Sequence, residues 1–244
     1  MTPASAARAA PIAETDATVL LHFAGHSFMP LPSGALYWGD QNALLVADLH
    51  LEKLSSFARR GSLLPPYDTG MTLRRLEADL AATGATEIIA LGDSFHRDEG
   101  TTTLLEADRQ RLAALVARAS WTWISGNHDP APHALGGLCV AELDRAGLLL
   151  THLPRAGRPG LVAGHLHPAA RIALDGRSVR RPCFVHDNRL LVLPAYGSGT
   201  GSLNILDPAF AGLLDWPALE VAMIGKGRIY PVSPRRLVRE HTGW

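Results

Sequence analysis

Five short apolar runs in this chain each end in a residue type that can bind metal, and that pattern limits the fold more than any other feature. Val46-Ala47 leads into Asp48-Leu49-His50, and Ile88-Ile89-Ala90-Leu91 into Gly92-Asp93. Trp123-Ile124-Ser125 leads into Gly126-Asn127-His128-Asp129. Leu148-Leu149-Leu150 ends in Thr151-His152, and Leu161-Val162-Ala163 in Gly164-His165-Leu166-His167. In α/β sheets, sites collect beyond the carboxyl ends of the strands. Five strands pointing such groups at one edge predict a single site. The histidines agree: His50, His96, His128, His152, His165 and His167, six of the 11 in the chain, lie in or beside these segments.

The donor types narrow the chemistry. No cysteine takes part, which excludes a cysteine-rich structural zinc site. Imidazole, carboxylate and amide oxygen together suit Mn²⁺, Fe or Zn²⁺ in an open site. In Asp48-x-His50 and His165-x-His167, alternate residues of an extended segment share a side, so each pair can serve one ion or two neighbouring ions. Gly92, Gly126 and Gly164 each precede an expected ligand, where the chain must turn sharply and backbone must come close.

Around these points, strand and helix patterns alternate. Strands are predicted over Thr18–Phe23, Ala43–Ala47, Glu87–Leu91, Trp121–Ser125, Gly147–Leu150, Leu161–Ala163 and Leu190–Leu193. Arg171–Leu174 and Val179–Val185 add two more, with His186-Asp187-Asn188 as a turn. Helices are predicted over Thr69–Ala82 and Thr103–Ala119. In the first, Met71, Leu73, Leu76 and Leu80 form the apolar stripe and Asp68 or Thr69 the cap. Pro65-Pro66 stops any helix running in from upstream. The expected class is α/β, an α+β sandwich. Two mixed sheets pack face to face with helices outside, in one domain over residues 16–244 after a loose lead at 1–15.

The motif set Asp48-x-His50, Gly92-Asp93, Gly126-Asn127-His128-Asp129, His152 and Gly164-His165-x-His167 resembles that of the calcineurin-like metallophosphoesterases. The resemblance implies two divalent ions, with Mn²⁺ favoured and Fe or Zn²⁺ open. It places Asp48, His50 and His167 on one ion, Asn127, His152 and His165 on the other, and Asp93 on both. It makes His128 a group that faces the scissile phosphate and assists the leaving group, with Asp129 placed to orient it. Two such ions about 4 Å apart clamp a phosphate and its nucleophile for in-line attack.

A narrower resemblance rests on the segment from Leu51 to Gly61, Leu64-Pro65-Pro66-Tyr67-Asp68-Thr69, Gly92-Asp93-Ser94-Phe95-His96, Arg181-Pro182-Cys183-Phe184 and Leu193-Pro194-Ala195-Tyr196-Gly197. Together these are similar to the bacterial ligase-associated DNA damage response endonucleases, the PdeM type. That family implies DNA as substrate, and association with a DNA ligase and a helicase-like protein in repair. It also has His96 in place of an acidic residue common elsewhere in the superfamily, in contact with the phosphate or leaving oxygen. Lys53, Arg59 and Arg60 could meet a phosphate backbone, and Phe57, Tyr67 and Tyr196 could stack bases. The expected substrate is single-stranded DNA, because a flexible strand bends into a metal pocket more easily than a stiff duplex. A small-substrate phosphoesterase, acting on cyclic nucleotides or nucleotides, is the alternative.

The bulk composition adds mainly exclusions. Lys plus Arg and Asp plus Glu are 23 each, so no whole-molecule field draws the chain to nucleic acid or anionic membrane. Cys139 and Cys183 read as two thiols rather than a disulfide framework. No apolar run reaches the roughly 20 residues of a membrane span, no signal-peptide pattern opens the chain, and the expected compartment is the cytoplasm. Gly197-Ser198-Gly199-Thr200-Gly201 lacks the lysine of a phosphate-binding loop and reads as a tight loop. His22, His26, His133, His186 and His241 read as structural or surface residues, and Arg235-Arg236-Leu237-Val238-Arg239 as a solvated tail.

Overall fold

The computed structural model describes residues 19–58, 67–174 and 177–240. The expected lead at 1–15, Pro65-Pro66, Arg59, Arg60 and His241 lie outside the described residues.

The first sheet is seven-stranded, in the order β1 (Leu21–Phe23), β2 (His26–Pro30), β3 (Leu36–Trp38), β4 (Ala43–Val46), β5 (Glu87–Leu91), β6 (Ser120–Ile124), β7 (Leu138–Val140). β1 to β4 form an antiparallel meander, and β4 to β7 are parallel. The parallel part is joined by α1 (Lys53–Ala58), α2 (Asp68–Thr83), α3 (Gly100–Thr103) and α4 (Glu106–Arg118). The second sheet holds β8 (Leu143–Arg145), β9 (Leu148–Thr151), β10 (Leu161–Ala163), β11 (Pro168–Leu174), β12 (Arg177–His186), β13 (Leu190–Val192), β14 (Leu203–Asn204), β15 (Glu220–Gly225) and β16 (Arg228–Val232). Its order is β14-β11-β12-β13-β10-β9-β8, with β15 on β12 and β16 on β15. Within it, β9, β10 and β13 are parallel.

Strand alternation sorts the side chains into layers. Leu45, Ile89, Leu91 and Ile124 point inward and meet Leu148, Leu150, Val162 and Leu191 of the other sheet. Leu44, Val46, Ile88, Ala90, Trp121 and Trp123 point outward and are covered by Leu73, Leu76 and Leu80 of α2 and Leu112 and Leu115 of α4. Each buried leucine contributes about 1.5–3 kcal/mol. The expected sandwich is present, with one difference. Among the described residues, α-helices cover only the first sheet. The outer face of the second, with Leu149, Leu161, Val185 and Val192, is covered by Ile205, Phe210, Leu214 and Leu219 from an irregular segment with 3₁₀ turns.

Other departures have local causes. The single helix expected over Thr103–Ala119 is two, because Leu104 and Leu105 are extended and the break buries Leu104. The hydroxyls of Thr102 and Thr103 bond carbonyls three residues back, which favours ending a turn there. Met71, assigned to the apolar stripe of α2, is exposed. Asp68 and Thr69 do not cap α2. Asp68 accepts the Leu54 N–H and Thr69 Oγ1 accepts the Glu52 N–H, so both tie the start of α2 to the segment after β4. The turn at Asp187 is as expected, its carboxylate accepting the N–H groups of Arg189 and Leu190.

The parallel strands of both sheets end at one edge, and there the sheets are stapled together. Ala47 bridges Ala195 in parallel, and the Tyr196 N–H donates to the Ala47 carbonyl. Beyond β4 and β5 the two chains stay side by side. Asp48 N bonds Gly92 O, His50 N bonds Asp93 O, Leu51 N bonds Ser94 O, and His96 N bonds Leu51 O. No helix among the described residues is long and apolar enough to cross a membrane.

Candidate metal centre

Asp48 and His50 leave the end of β4, Asp93 that of β5, and Asn127 and His128 that of β6. His152 leaves the end of β9, and His165 and His167 follow β10. The structure brings all seven expected ligands together. Six of them, together with His128, fall into overlapping groups able to hold an ion: Asp48, His50 and His167; Asp93, His152 and His165; and His50, Asp93 and His128. Asn127 joins them through Oδ1, beside His152 Nε2.

Asp93 links the groups through different oxygens. Its Oδ2 lies 3.7 Å from His50 Nε2 and 4.0 Å from His128 Nε2. Its Oδ1 lies 3.4 Å from His152 Nε2. His152 Nδ1 faces the Leu91 carbonyl at 3.0 Å and must donate to it. In neutral His152, Nε2 is then a lone pair, and it meets Asn127 Oδ1 at 2.9 Å and His165 Nδ1 at 3.2 Å. His167 behaves alike: Nδ1 faces the Gly201 carbonyl at 3.2 Å, which turns Nε2 toward Asp48 Oδ1 at 3.1 Å. That Asp48 oxygen is buried without a hydrogen bond. Lone pairs converging on one another in a buried place need a positive charge between them, either a proton on His152 Nε2, whose pKa is raised, or a cation. The donor set fits divalent cations on this observation.

The backbone is bent to make this arrangement. Asp48 (φ 54°), His50 (φ 42°), Asp93 (φ 48°), His165 (φ 70°) and His167 (φ 45°) are all left-handed. Each costs about 1–2 kcal/mol for a residue with a Cβ, and such strain clusters where function over-determines the geometry. The glycines give clearance. A Cβ on Gly126 would overlap Asp93 Oδ1, and one on Gly164 would lie 2.7 Å from Asp48 Oδ2.

Electrostatics follow burial. Burial pushes His50 down to about 2, against the pull of Asp93. Burial acts to raise Asp93, but the hydrogen bond and charge of His152 outweigh it and hold the carboxyl at about 2. Burial also lowers His165. For His152 burial is outweighed by Asp93 and Asp48, and its pKa rises. Asp48, His50, Asp93 and His152 are buried while Asn127 and His128 are exposed, so the centre opens on the β6 side.

The remaining expected site residues are placed as follows. His96 stacks on His128, ring centroids 5.2 Å apart at 23°, and burial lowers it to about 4. Asp129 was expected to orient the His128 ring. Its carboxylate instead accepts the Phe95 and Gly126 N–H groups at 2.9 and 3.2 Å, so its hold on His128 runs through the loops. Burial raises its pKa to about 7. Lys53 begins α1, its N–H on the His50 carbonyl; burial lowers its ammonium, with Asp48, Asp68 and Asp93 opposing. Tyr196 is core, its hydroxyl on Asp79, while Tyr67 is exposed. The Gly197–Gly201 loop braces the centre: Gly197 N bonds Asp48 O, and Gly201 supplies the carbonyl for His167. That carbonyl and Leu91's were missed because backbone acceptors leave no mark in residue type. Cys139 and Cys183 are free thiols.

Fold and centre together define a metallophosphoesterase-type, metal-dependent hydrolase. Pseudomonas putida nuclease MPE has a similar structure, with a TM-score of 0.68 and 28% identity over 88% of this chain and 99% of its own. The E. coli phosphoesterase YfcE matches more loosely, at 17% identity over 78% of this chain and 97% of its own, with a TM-score of 0.35. No protein-family profile and no curated protein sequence matches the chain.

Proposed function

We propose that this chain is a Mn²⁺-dependent DNA phosphodiesterase, an endonuclease of DNA repair that prefers single strands. The observation that carries the reading is Asp93, whose two oxygens face two different groups of ligands. Asp48, His50 and His167 would hold one ion, Asn127, His152 and His165 the other, and Asp93 both. Bound there, the ions supply charge that makes water nucleophilic near neutral pH and clamps the phosphoryl oxygens. His128, exposed at the mouth, donates a proton to the leaving oxygen from Nε2. His96 packs on the face of His128 and is proposed to contact the phosphate or leaving oxygen beside it.

The nucleic-acid part of the reading is supported by the 28% identity to a nuclease over nearly all of that protein's length, and DNA as the substrate by the PdeM-type resemblance. Buried ligands favour a strand flexible enough to bring one phosphate down to them. The PdeM-type resemblance extends the proposal to a cytoplasmic repair role beside a DNA ligase and a helicase-like protein. Lys53 is half-buried next to the centre and is proposed as a contact to substrate phosphate.

Circular single-stranded DNA, linear duplex and a model phosphomonoester, each with Mn²⁺, test the proposal. The expected result is linearisation of the circle, slower cutting of duplex and weak monoester hydrolysis. His128→Ala should lower turnover by about 10²–10⁴-fold while metal content is unchanged. An intact circle with rapid monoester hydrolysis would point to a small-substrate phosphoesterase instead.

A further inference from the structure

Beside the centre, on the Asn127 and His165 side, runs a groove of about 610 Å³. That is within the roughly 300–1,000 Å³ of pockets that hold small organic groups. Its apolar lining includes Leu153, Leu166 and Leu213. Leu153 directly follows the expected ligand His152, and Leu166 lies between His165 and His167. The groove is therefore continuous with the metal ligands through the chain itself. Leu153 is 47% exposed, although its neighbour His152 is buried. At the rim Arg155 pairs with Glu142 at 2.8 Å, which neutralises the nearby carboxylate that would repel a nucleotide.

We infer that this groove seats an unpaired nucleobase flanking the scissile phosphate. The inference rests on the nuclease reading and gives it a specificity element. A base in a duplex has both faces stacked on its neighbours. A base in a single strand can lay one face on Leu153 and Leu213 while its phosphate reaches the centre. The contact surface is aliphatic, so the site accepts any base by its apolar face and reads no sequence. Preference for single strands then comes from base burial as well as strand flexibility.

A single-stranded oligonucleotide with one abasic residue tests this, with cleavage resolved phosphate by phosphate against the intact strand. For the wild type, kcat/KM should fall about tenfold at one of the two phosphates flanking the abasic residue, the effect of losing a base-sized apolar contact. Leu153→Ser should cut the intact strand about tenfold more slowly and show no further loss at the abasic residue. Metal content and melting temperature of the variant confirm that it is folded. Should it lose metal, Leu213→Ser, distant in sequence from every ligand, gives the same comparison. Equal cutting of abasic and intact strands by the wild type, or undiminished discrimination in a folded variant, overturns the inference. A wild type that hydrolyses bis(4-nitrophenyl) phosphate but cuts neither strand removes the nuclease reading, and this inference with it.

Discussion

At Gly126 the absence of a Cβ lets the β6 loop pass against the Asp93 carboxylate. Gly126→Ala therefore acts on metal binding through a contact that involves no ligand change. The added methyl must push aside either Asp93, whose Oδ1 also accepts the His128 N–H at 2.9 Å, or the loop that carries Asn127 and His128. The expected outcome is loss of bound metal and a fall in activity of about 10–100-fold, comparable to displacing an orienting partner. Inductively coupled plasma analysis of the purified variant checks it, and full metal content would refute the steric account. The left-handed φ values at Asp48, His50, Asp93, His165 and His167 belong to the same picture. Ligands that point their donors at a common place do so from backbone that side chains normally avoid.

Among the elements, the parallel strands that carry the ligands were readable because each buried strand is a run of apolar residues that stops where the site begins. The break between α3 and α4 was not, because Leu104 and Leu105 fit a helical period, and burial of Leu104 against the core, with the Thr102 and Thr103 hydroxyl bonds, decides the kink. The cover over the second sheet was also hidden. Pro208 and Pro217 interrupt its segment, and no period marks Ile205, Phe210 and Leu214 as one apolar surface. The groove residues Leu153, Leu166 and Leu213 meet only through folding. The turn at Asp187 was foreseen, but its reach was not: the carboxylate accepts from Arg189 and Leu190 and, at 2.6 Å, from Asp215 in that covering segment. Asp187→Ala strands the buried Leu190 N–H and frees the N–H groups of exposed Arg189 and Asp215 to water. It should cost about 1–3 kcal/mol in urea-unfolding experiments while leaving metal content unchanged. A variant as stable as the wild type would show that the segment is held by packing alone.

In the whole molecule, acidification acts on histidines that folding keeps neutral. His133 lies away from the centre, between Trp123 and Phe95, with its Nδ1 buried and unbonded. Burial lowers its pKa below 6.5. Below pH 6.5 the unfolded chain therefore binds a proton there that the folded chain does not. Its contribution is fully present above 6.5 and is lost as pH falls. His133→Phe, whose ring keeps the aromatic packing, removes that loss. Relative to the wild type the variant should gain stability between pH 8 and pH 5, read from urea midpoints of metal-free protein. An unchanged difference between the two pH values would mean that His133 is protonated in the fold. The central claim concerns the number of ions, since everything proposed for the chemistry depends on Asp93 facing two of them. Equilibrium dialysis of metal-free protein against Mn²⁺, wild type beside Asp93→Asn, measures this directly. The expected result is two ions per wild-type chain and fewer than one in the variant; one ion or none in the wild type would contradict the account.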